Sequence, residues 1–547
     1  MRVYTAPMID PAPLAATPVT QLQPTLDTLR AAWRARRPEA AQRRDDLDRL
    51  RTALARRLDV MADAICADFG HRARTESLLA DGMTVLGEID ALRRHLRSWM
   101  RPRRVGAGWR LWPARAEVRP VPLGVIGIIA PWNYPVNLAL IPLATAIAAG
   151  NHVYLKPSEH TPRTSAFLRD LLGEVFPPER VAVALGDADV GAAFAALPFD
   201  HLVFTGSTAV ARQVMAAAAP NLTPLTLELG GKSPAILCPD YPLERAAARL
   251  VTGKLFNAGQ TCIAPDYVLV DAARRDALVE ALRTEVRRRY ADAAACAQDY
   301  THIASDARHA RLLGLLDDAR ARGLTVLPLL DAVPAGRALP PTLVLEPDEN
   351  APLMREEIFG PVLPVLSYDT LEQAIAFIEA RERPLALYPF GTRAQAEAVL
   401  ARVVAGGVTV NDTLLHFTAN RLPFGGVGAS GMGAARGLRR DEQGFADPVA
   451  VARRRNRLAA TTVCASVKAG GDAGAVTRRR HGHAPAGGSH NSIGLPSGSW
   501  MRAKRPVCGV SQSALVTIST PASRRRASSA PRSSTRRFSI HCRSAAK

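Results

Sequence analysis

Aromatic residues make up only 5% of this 547-residue chain, and its basic C-terminal stretch, residues 458–547, holds just two, Trp500 and Phe538. Reading single-stranded nucleic acid by stacking needs aromatic platforms beside the cations, so that function class is disfavoured. C-x-x-C pairs are absent too: the seven cysteines, at 66, 238, 262, 296, 464, 508 and 542, share no repeated spacing. This argues against a disulfide framework or a structural zinc site and for a reducing, cytoplasmic compartment. His481 and His483 have no further ligand set around them, and no metal site is expected. The N-terminal stretch has no cationic segment followed by an apolar core, so no secretory signal is expected.

Charge is missing altogether from the 27 residues between Gly124 and Gly150. Prolines at 131, 135 and 142, with Asn133 and Asn137, interrupt that run and would free backbone groups that lipid cannot satisfy. A buried strand, a loop and a buried helix fit it better than a membrane span. Acidic residues are equally scarce at the other end. Residues 458–547 carry 15 Lys/Arg against one acidic residue, Asp472, a net of +14, so the chain's +20 leaves +6 for residues 1–457. The body is only mildly basic. Arg524-Arg525-Arg526 and similar runs leave a rival reading open, in which the tail binds nucleic acid or an acidic surface.

What is present is periodic. Leu47, Leu50, Leu54, Leu58, Met61 and Ile65 recur at spacings of three and four, the stripe of an amphipathic helix. Residues 104–122 alternate in short segments and suit a β-hairpin. Then strand, turn and helix repeat: VIGII (125–129), HVYLK (152–156), VAVAL (181–185) and HLVFT (201–205), each followed by turn residues or a helical pattern. Such alternation predicts a parallel sheet with right-handed crossovers, whose ligands bind at the carboxyl ends of the strands. A second α/β unit begins near Gly230 and runs to PFGGVGASGMG (423–433). After residue 458 the chain is rich in Ser, Arg, Ala and Gly without apolar period, a composition that predicts disorder.

Several residues in these turns bear chemistry. In TPLTLELGG (223–231), Glu228 alternates with the leucines near a strand end, as a general base or as a solvated strand carboxylate. In KLFNAGQTCIAPDY (254–267), Asn257-Ala258-Gly259 reads as a helix C-terminus with Gly259 left-handed. Cys262 then falls in a loop, as a nucleophile or an inert thiol. Asn133, after the first parallel strand, is placed to donate to an oxyanion or merely to turn the chain. Lys156 and Glu159 close the second strand, where a carboxylate suits ribose hydroxyls. FTGSTAVA (204–211) opens a helix whose amides suit a pyrophosphate, although no G-x-G-x-x-G is present.

Together PWNYP, LKPSE, FTGS, LELGGKSP, FNAGQTC, EEIFGPV and LPFGG resemble, in order and spacing, the aldehyde dehydrogenase superfamily over roughly residues 25–433. GSTAV, CIAPDY, RPLALY and VNDTLLH resemble its class-3-like branch, in particular bacterial coniferyl aldehyde dehydrogenases. The resemblance implies an α/β fold: a Rossmann-like NAD(P)-binding domain (20–103 and 123–229), a bridging β-hairpin (104–122) and an α/β catalytic domain (230–435). A degraded segment (436–457) and the basic tail (458–547) would follow. It implies Cys262 as nucleophile, Glu228 as general base, and Asn133 with the Cys262 amide as oxyanion donors. Lys156 and Glu159 would hold the adenosine ribose, Gly206 and Ser207 the pyrophosphate. Gly186 and Trp132 would line the cofactor cleft, and Glu357 and Phe359 would place the nicotinamide ribose. The cofactor implied is NAD, with NADP possible, the substrate an aromatic or long-chain aldehyde, and the assembly a homodimer. The thiolate of such a cysteine is expected near neutral pH.

Two departures from the family pattern stand out. Ala211 occupies a position where relatives carry glycine, and its methyl is expected to crowd the pyrophosphate loop and weaken cofactor binding. After Gly433 the composition and the resemblance fail together, as they would at a shift of reading frame. A folded but inactive relative is therefore a further rival reading.

Overall fold

The structure, a computed structural model, describes residues 15–111, 115–420, 422–433 and 450–453. The described residues of 1–100 and 121–513 form one compact unit, and those of 101–120 a second. The second is a hairpin in which β1 (Arg103–Val105) pairs antiparallel with β2 (Ala116–Val118).

The larger unit opens with helices. The expected stripe from Leu47 to Ile65 is carried by two of them, Ala40–Arg56 and Leu58–Phe69, because Arg57 leaves helical geometry at φ −116° and ψ 18°. The stripe survives the break: Leu47, Leu50, Leu54, Met61 and Ile65 all lie in one buried apolar cluster.

The charge-free run behaves as composition demands. β3 (Val125–Ile129) and the helix Asn137–Ala149 are buried almost throughout. A helix that is apolar on every face has no side to show to water. Gly150 stops it at φ 91°, and the amides of Gly150 and Asn151 close on the carbonyls of Ile147 and Ala146. β4 (His152–Lys156), β5 (Val181–Val183), β6 (His201–Thr205) and β7 (Leu225–Glu228) follow.

The second sheet is built from β8 (Pro234–Leu237), β9 (Tyr267–Asp271), β10 (Thr325–Pro328), β11 (Thr342–Leu345), β12 (Val362–Tyr368), β13 (Ala386–Phe390) and β14 (Gly407–Val410). Then β15 (Gly431–Met432) returns antiparallel to β7, and β16 (Ala450–Arg453) adds in parallel to β14. No strand was expected in the segment 436–457. The rest of that segment, and the tail with its proposed frame shift, lie outside the described residues.

The first sheet has the order β15-β7-β6-β3-β4-β5, parallel apart from β15. β3 therefore sits between β4 and β6, and the chain leaves it in opposite directions, which opens a crevice at the carboxyl ends. The second sheet runs β10-β11-β12-β9-β8-β13-β14-β16, parallel apart from β10. Asn133, Lys156, Ser207 and Glu228 come from the carboxyl ends of strands in the first sheet. Cys262 and Glu357 come from the segments that enter β9 and β12 in the second.

Candidate active site

The loop that presents Cys262 is held in an uncommon conformation. The helix Leu243–Leu255 ends before the expected cap, and Asn257, Ala258 and Gly259 are all left-handed, at φ 54°, 51° and 74°. Gly259 is required there, since a Cβ would lie 2.3 Å from the Gly360 carbonyl oxygen. Two successive non-glycine residues in this region are costly and need surrounding support. Asn257 has it: its amide donates to the Glu76 carboxylate, and its side chain donates to the carbonyls of Asn133 (3.0 Å) and Gln260 (3.1 Å). Gln260 in turn donates to Asn257 and His302 and accepts from the Ala304 amide.

Asn133 is buried beside this loop. One N–H of its carboxamide donates to the Gln260 carbonyl at 3.2 Å, and a carboxamide has a second N–H to offer. Its neighbour Tyr134 meets the Thr261 hydroxyl at 2.6 Å. Behind both lies Arg72, fully buried, 3.2 Å from Asp81, donating to the Asn133 carbonyl at 3.3 Å. Its guanidinium lies 4.9 Å from the Tyr134 ring centroid and 5.1 Å from that of Phe69.

Cys262 is half-buried and unpaired. Burial pushes its thiol well above the ordinary range, and the Glu357 and Glu228 carboxylates push it further. That direction runs against the expectation of a thiolate near neutral pH and gives a neighbouring base the task of drawing the proton from sulfur. Glu228 is 3% exposed, so the solvated strand carboxylate is excluded. Burial and Asp266 raise the Glu357 carboxyl to about 8 against the pull of the Gly231 amide, Lys232 and Lys254. Glu357 packs so closely on the glycine turn after Glu228 that a Cβ on Gly230 would lie 2.0 Å from its Oε2.

The crevice residues line up along the first sheet. Lys156, 3% exposed, donates to Glu159 at 2.7 Å and to the Pro157 carbonyl at 3.3 Å. Burial would raise the Glu159 carboxyl, but Lys156 prevails and holds it below its usual value. Gly186 has φ 148°, and a Cβ there would meet Val190 at 2.5 Å. The Gly206 amide donates to the Glu228 carbonyl, and Ser207 caps the helix Thr208–Ala218 by accepting from Val210. Trp132 stands edge-on to Phe359 at 5.4 Å and lies under the Arg308 guanidinium at 4.1 Å. A buried lysine paired with an exposed carboxylate, glycines that leave the backbone bare and a capped helix N-terminus are what a dinucleotide's ribose and phosphates need. Ala211 is 1% exposed, in the apolar cluster with Phe204, Val214 and Leu227, so its methyl sits in helix–sheet packing.

Sequence reading missed Arg72, Glu76, Tyr134, Arg308, Lys254 and Asp266. For Lys254 a signal existed. Ala247, Leu250, Val251 and Lys254 share one helix face, so the lysine falls on the apolar stripe. Among the described residues no cluster suits a metal ion, and no helix is long and apolar enough to cross a membrane.

The aldehyde dehydrogenase family profile matches residues 21–443. A Pseudomonas aeruginosa protein named "Probable coniferyl aldehyde dehydrogenase" is 48% identical over 77% of this chain and 88% of its own length. A rat "Aldehyde dehydrogenase, dimeric NADP-preferring" is 37% identical, covering 77% of this chain and 92% of its own. Among solved structures, the substrate-bound state of Staphylococcus aureus AldH superposes with a TM-score of 0.72 at 35% identity, over 77% of this chain and 91% of that one.

Proposed function

This chain belongs to the aldehyde dehydrogenase family, and we propose that Cys262 is the nucleophile with which it oxidises an aldehyde to the carboxylic acid. The single observation that carries the assignment is the convergence of Asn133, Glu228 and Glu357 on the loop that presents Cys262.

Sulfur attacks the aldehyde carbon, the S–H proton passes to a base, and the carbonyl electron pair moves onto oxygen. The second N–H of Asn133 and the Cys262 amide stabilise that oxyanion. A bound nicotinamide cofactor supplies the acceptor for the hydride that the tetrahedral carbon must lose. Glu228 then takes a proton from water, the water oxygen adds to the thioester carbon, and the C–S bond breaks to restore the thiol. Lys156 and Glu159 hold the adenosine ribose, Gly186 and Trp132 line the cleft, Gly206 and Ser207 meet the pyrophosphate, and Glu357 with Phe359 places the nicotinamide ribose. The Glu159 carboxylate favours NAD over NADP, whose 2′-phosphate it repels, while Lys156 beside it keeps NADP admissible.

The substrate is an aromatic aldehyde of the coniferyl type. Supporting this, Cys262 packs against a cluster that holds Tyr388 and Phe424, with Phe417 beside it at 5.0 Å from Phe424. Four unpaired cysteines among the described residues fit work in the cytoplasm, and a homodimer fits the rat relative's name. The test is reduction of NAD by purified protein with coniferyl aldehyde. Turnover by the wild type and none by Cys262→Ala is expected; silence from both, across aromatic and aliphatic aldehydes and either cofactor, would overturn the reading.

A further inference from the structure

The segment that carries Glu357 and Phe359 is held by its backbone. Phe359 is left-handed at φ 53°, a conformation that an aromatic residue keeps only where its surroundings impose it. The Glu356 carbonyl accepts from Lys232 at 3.0 Å, and the Ile358 amide donates to Asp266 at 3.1 Å. The next two carbonyls go to a single side chain. Arg311 donates to the Glu357 carbonyl at 2.7 Å and to the Ile358 carbonyl at 3.0 Å, and it reaches the Glu356 carboxylate at 3.1 Å. The Ile358 carbonyl lies in the peptide plane that enters Phe359, so fixing it fixes the plane from which that residue turns. The proposed chemistry gives Arg311 no task.

Arg311 stands on the helix Asp306–Ala321, and its neighbours at helical spacing serve the same segment. Arg308, three residues earlier, lies over the Trp132 ring at 4.1 Å, and Trp132 meets Phe359 edge-on at 5.4 Å. Leu312 packs so closely on Gly360 that a Cβ there would lie 2.6 Å from its Cδ1. Residues three and four apart share a helix face, so one face holds Trp132, the Glu357 and Ile358 carbonyls and Gly360 together.

We propose that Arg311 is a positioning residue for the nicotinamide end of the cofactor: by holding the Glu357 and Ile358 carbonyls it fixes where the Glu357 and Phe359 side chains stand in the cleft. The inference rests on the reading that these two side chains meet the nicotinamide ribose. The adenosine end is assigned instead to Lys156 and Glu159, which bond to one another on the first sheet. A half-exposed ion pair such as Arg311 with Glu356 contributes little by itself. Two carbonyls gripped by one planar guanidinium are different, because no other cation spans them in that geometry.

The experiment is calorimetric titration of the full chain with NAD and with ADP, which keeps the adenosine and diphosphate but lacks the nicotinamide and its ribose. Arg311→Met is expected to weaken NAD binding by about tenfold or more and to leave ADP within about twofold, which also reports an intact fold. Arg311→Lys, with one ammonium for two carbonyls, should fall between. Glu356→Gln removes the ion pair and keeps both carbonyl bonds, so its affinities should match the wild type. Equal losses for NAD and ADP in Arg311→Met, no loss for either, or a matching loss in Glu356→Gln overturns the proposal. A wild type that binds NAD no more tightly than ADP would instead overturn the placing of Glu357 and Phe359 at the nicotinamide ribose, and this inference with it.

Discussion

The hydroxyls of Tyr134 and Thr261 lie 2.6 Å apart, so the loop after β3 is bonded to the residue before Cys262. Both side chains are buried, and the bond ties the neighbour of the proposed oxyanion donor, Asn133, to the neighbour of the proposed nucleophile, Cys262. Tyr134→Phe deletes it while keeping the ring that covers Arg72. A buried hydrogen bond of this kind is worth about 0.5–1.5 kcal/mol. The expected result is a fall in kcat/KM of roughly tenfold with thermal unfolding little changed. Steady-state kinetics beside a melting curve checks it, and unchanged kinetics would show that the contact does not hold the catalytic geometry.

Arg72 and Asp81 form an ion pair with both side chains at 0% exposure. Removing one partner of a buried pair costs about 3–5 kcal/mol, because the other charge is stranded. Burial already raises the Asp81 carboxyl against the pull of Arg72, and Arg72→Met raises it further. A carboxyl that binds its proton more tightly in the folded chain loses stability as pH climbs above its unfolded value. The melting deficit of Arg72→Met is therefore expected to be larger at about pH 8 than at about pH 5. Melting curves of variant and wild type at both values measure it; a deficit independent of pH would assign the loss to packing alone.

The readability of this site differs by residue, and the reasons are physical. β3, its following helix and the Gly150 cap were legible because a charge-free run bounded by glycine leaves few alternatives. Cys262, Glu228 and Asn133 were visible as residues but ambiguous as chemistry, since each segment alone fits an inert role. Their convergence on one loop is what supports the reactive reading, and convergence is a property of the fold. Arg72 and Glu76 were invisible because an arginine and a glutamate read as solvated until their burial is known. The expected thiolate meets opposition for a related reason: burial and two carboxylates push the thiol upward, and neither acts locally in sequence. The break at Arg57 was missed because the apolar period continues across it.

Glu228 is 3% exposed at the end of β7, and its role in the proposed chemistry is confined to releasing the acid. Glu228→Gln is isosteric and cannot take a proton from water. One equivalent of reduced cofactor per subunit should then appear rapidly, followed by turnover slowed by roughly a hundredfold or more. Stopped-flow absorbance distinguishes this from a defect in the first step, which would remove the burst as well. A normal steady state in the variant would transfer the base role to another group.

Lys156 and Glu159 provide the sharpest test of the cofactor crevice, because their 2.7 Å bond makes two opposing statements about a 2′-phosphate. Lys156 pulls the Glu159 carboxyl below its usual value against partial desolvation, which favours a negative charge where the adenosine ribose is proposed to sit. Like charges at a partly buried distance of a few ångströms oppose one another by about 1–3 kcal/mol. Glu159→Gln keeps a hydrogen-bond acceptor for Lys156 and for a ribose hydroxyl but removes that repulsion. The ratio of kcat/KM for NADP to that for NAD should therefore rise by roughly tenfold or more, chiefly through a lower KM for NADP. Lys156→Met should act in the opposite sense on NADP, since it leaves Glu159 without its counter-charge. If both variants change NAD and NADP kinetics in equal proportion, the pair does not face the ribose, and the adenosine end of the cofactor must be placed elsewhere along the first sheet.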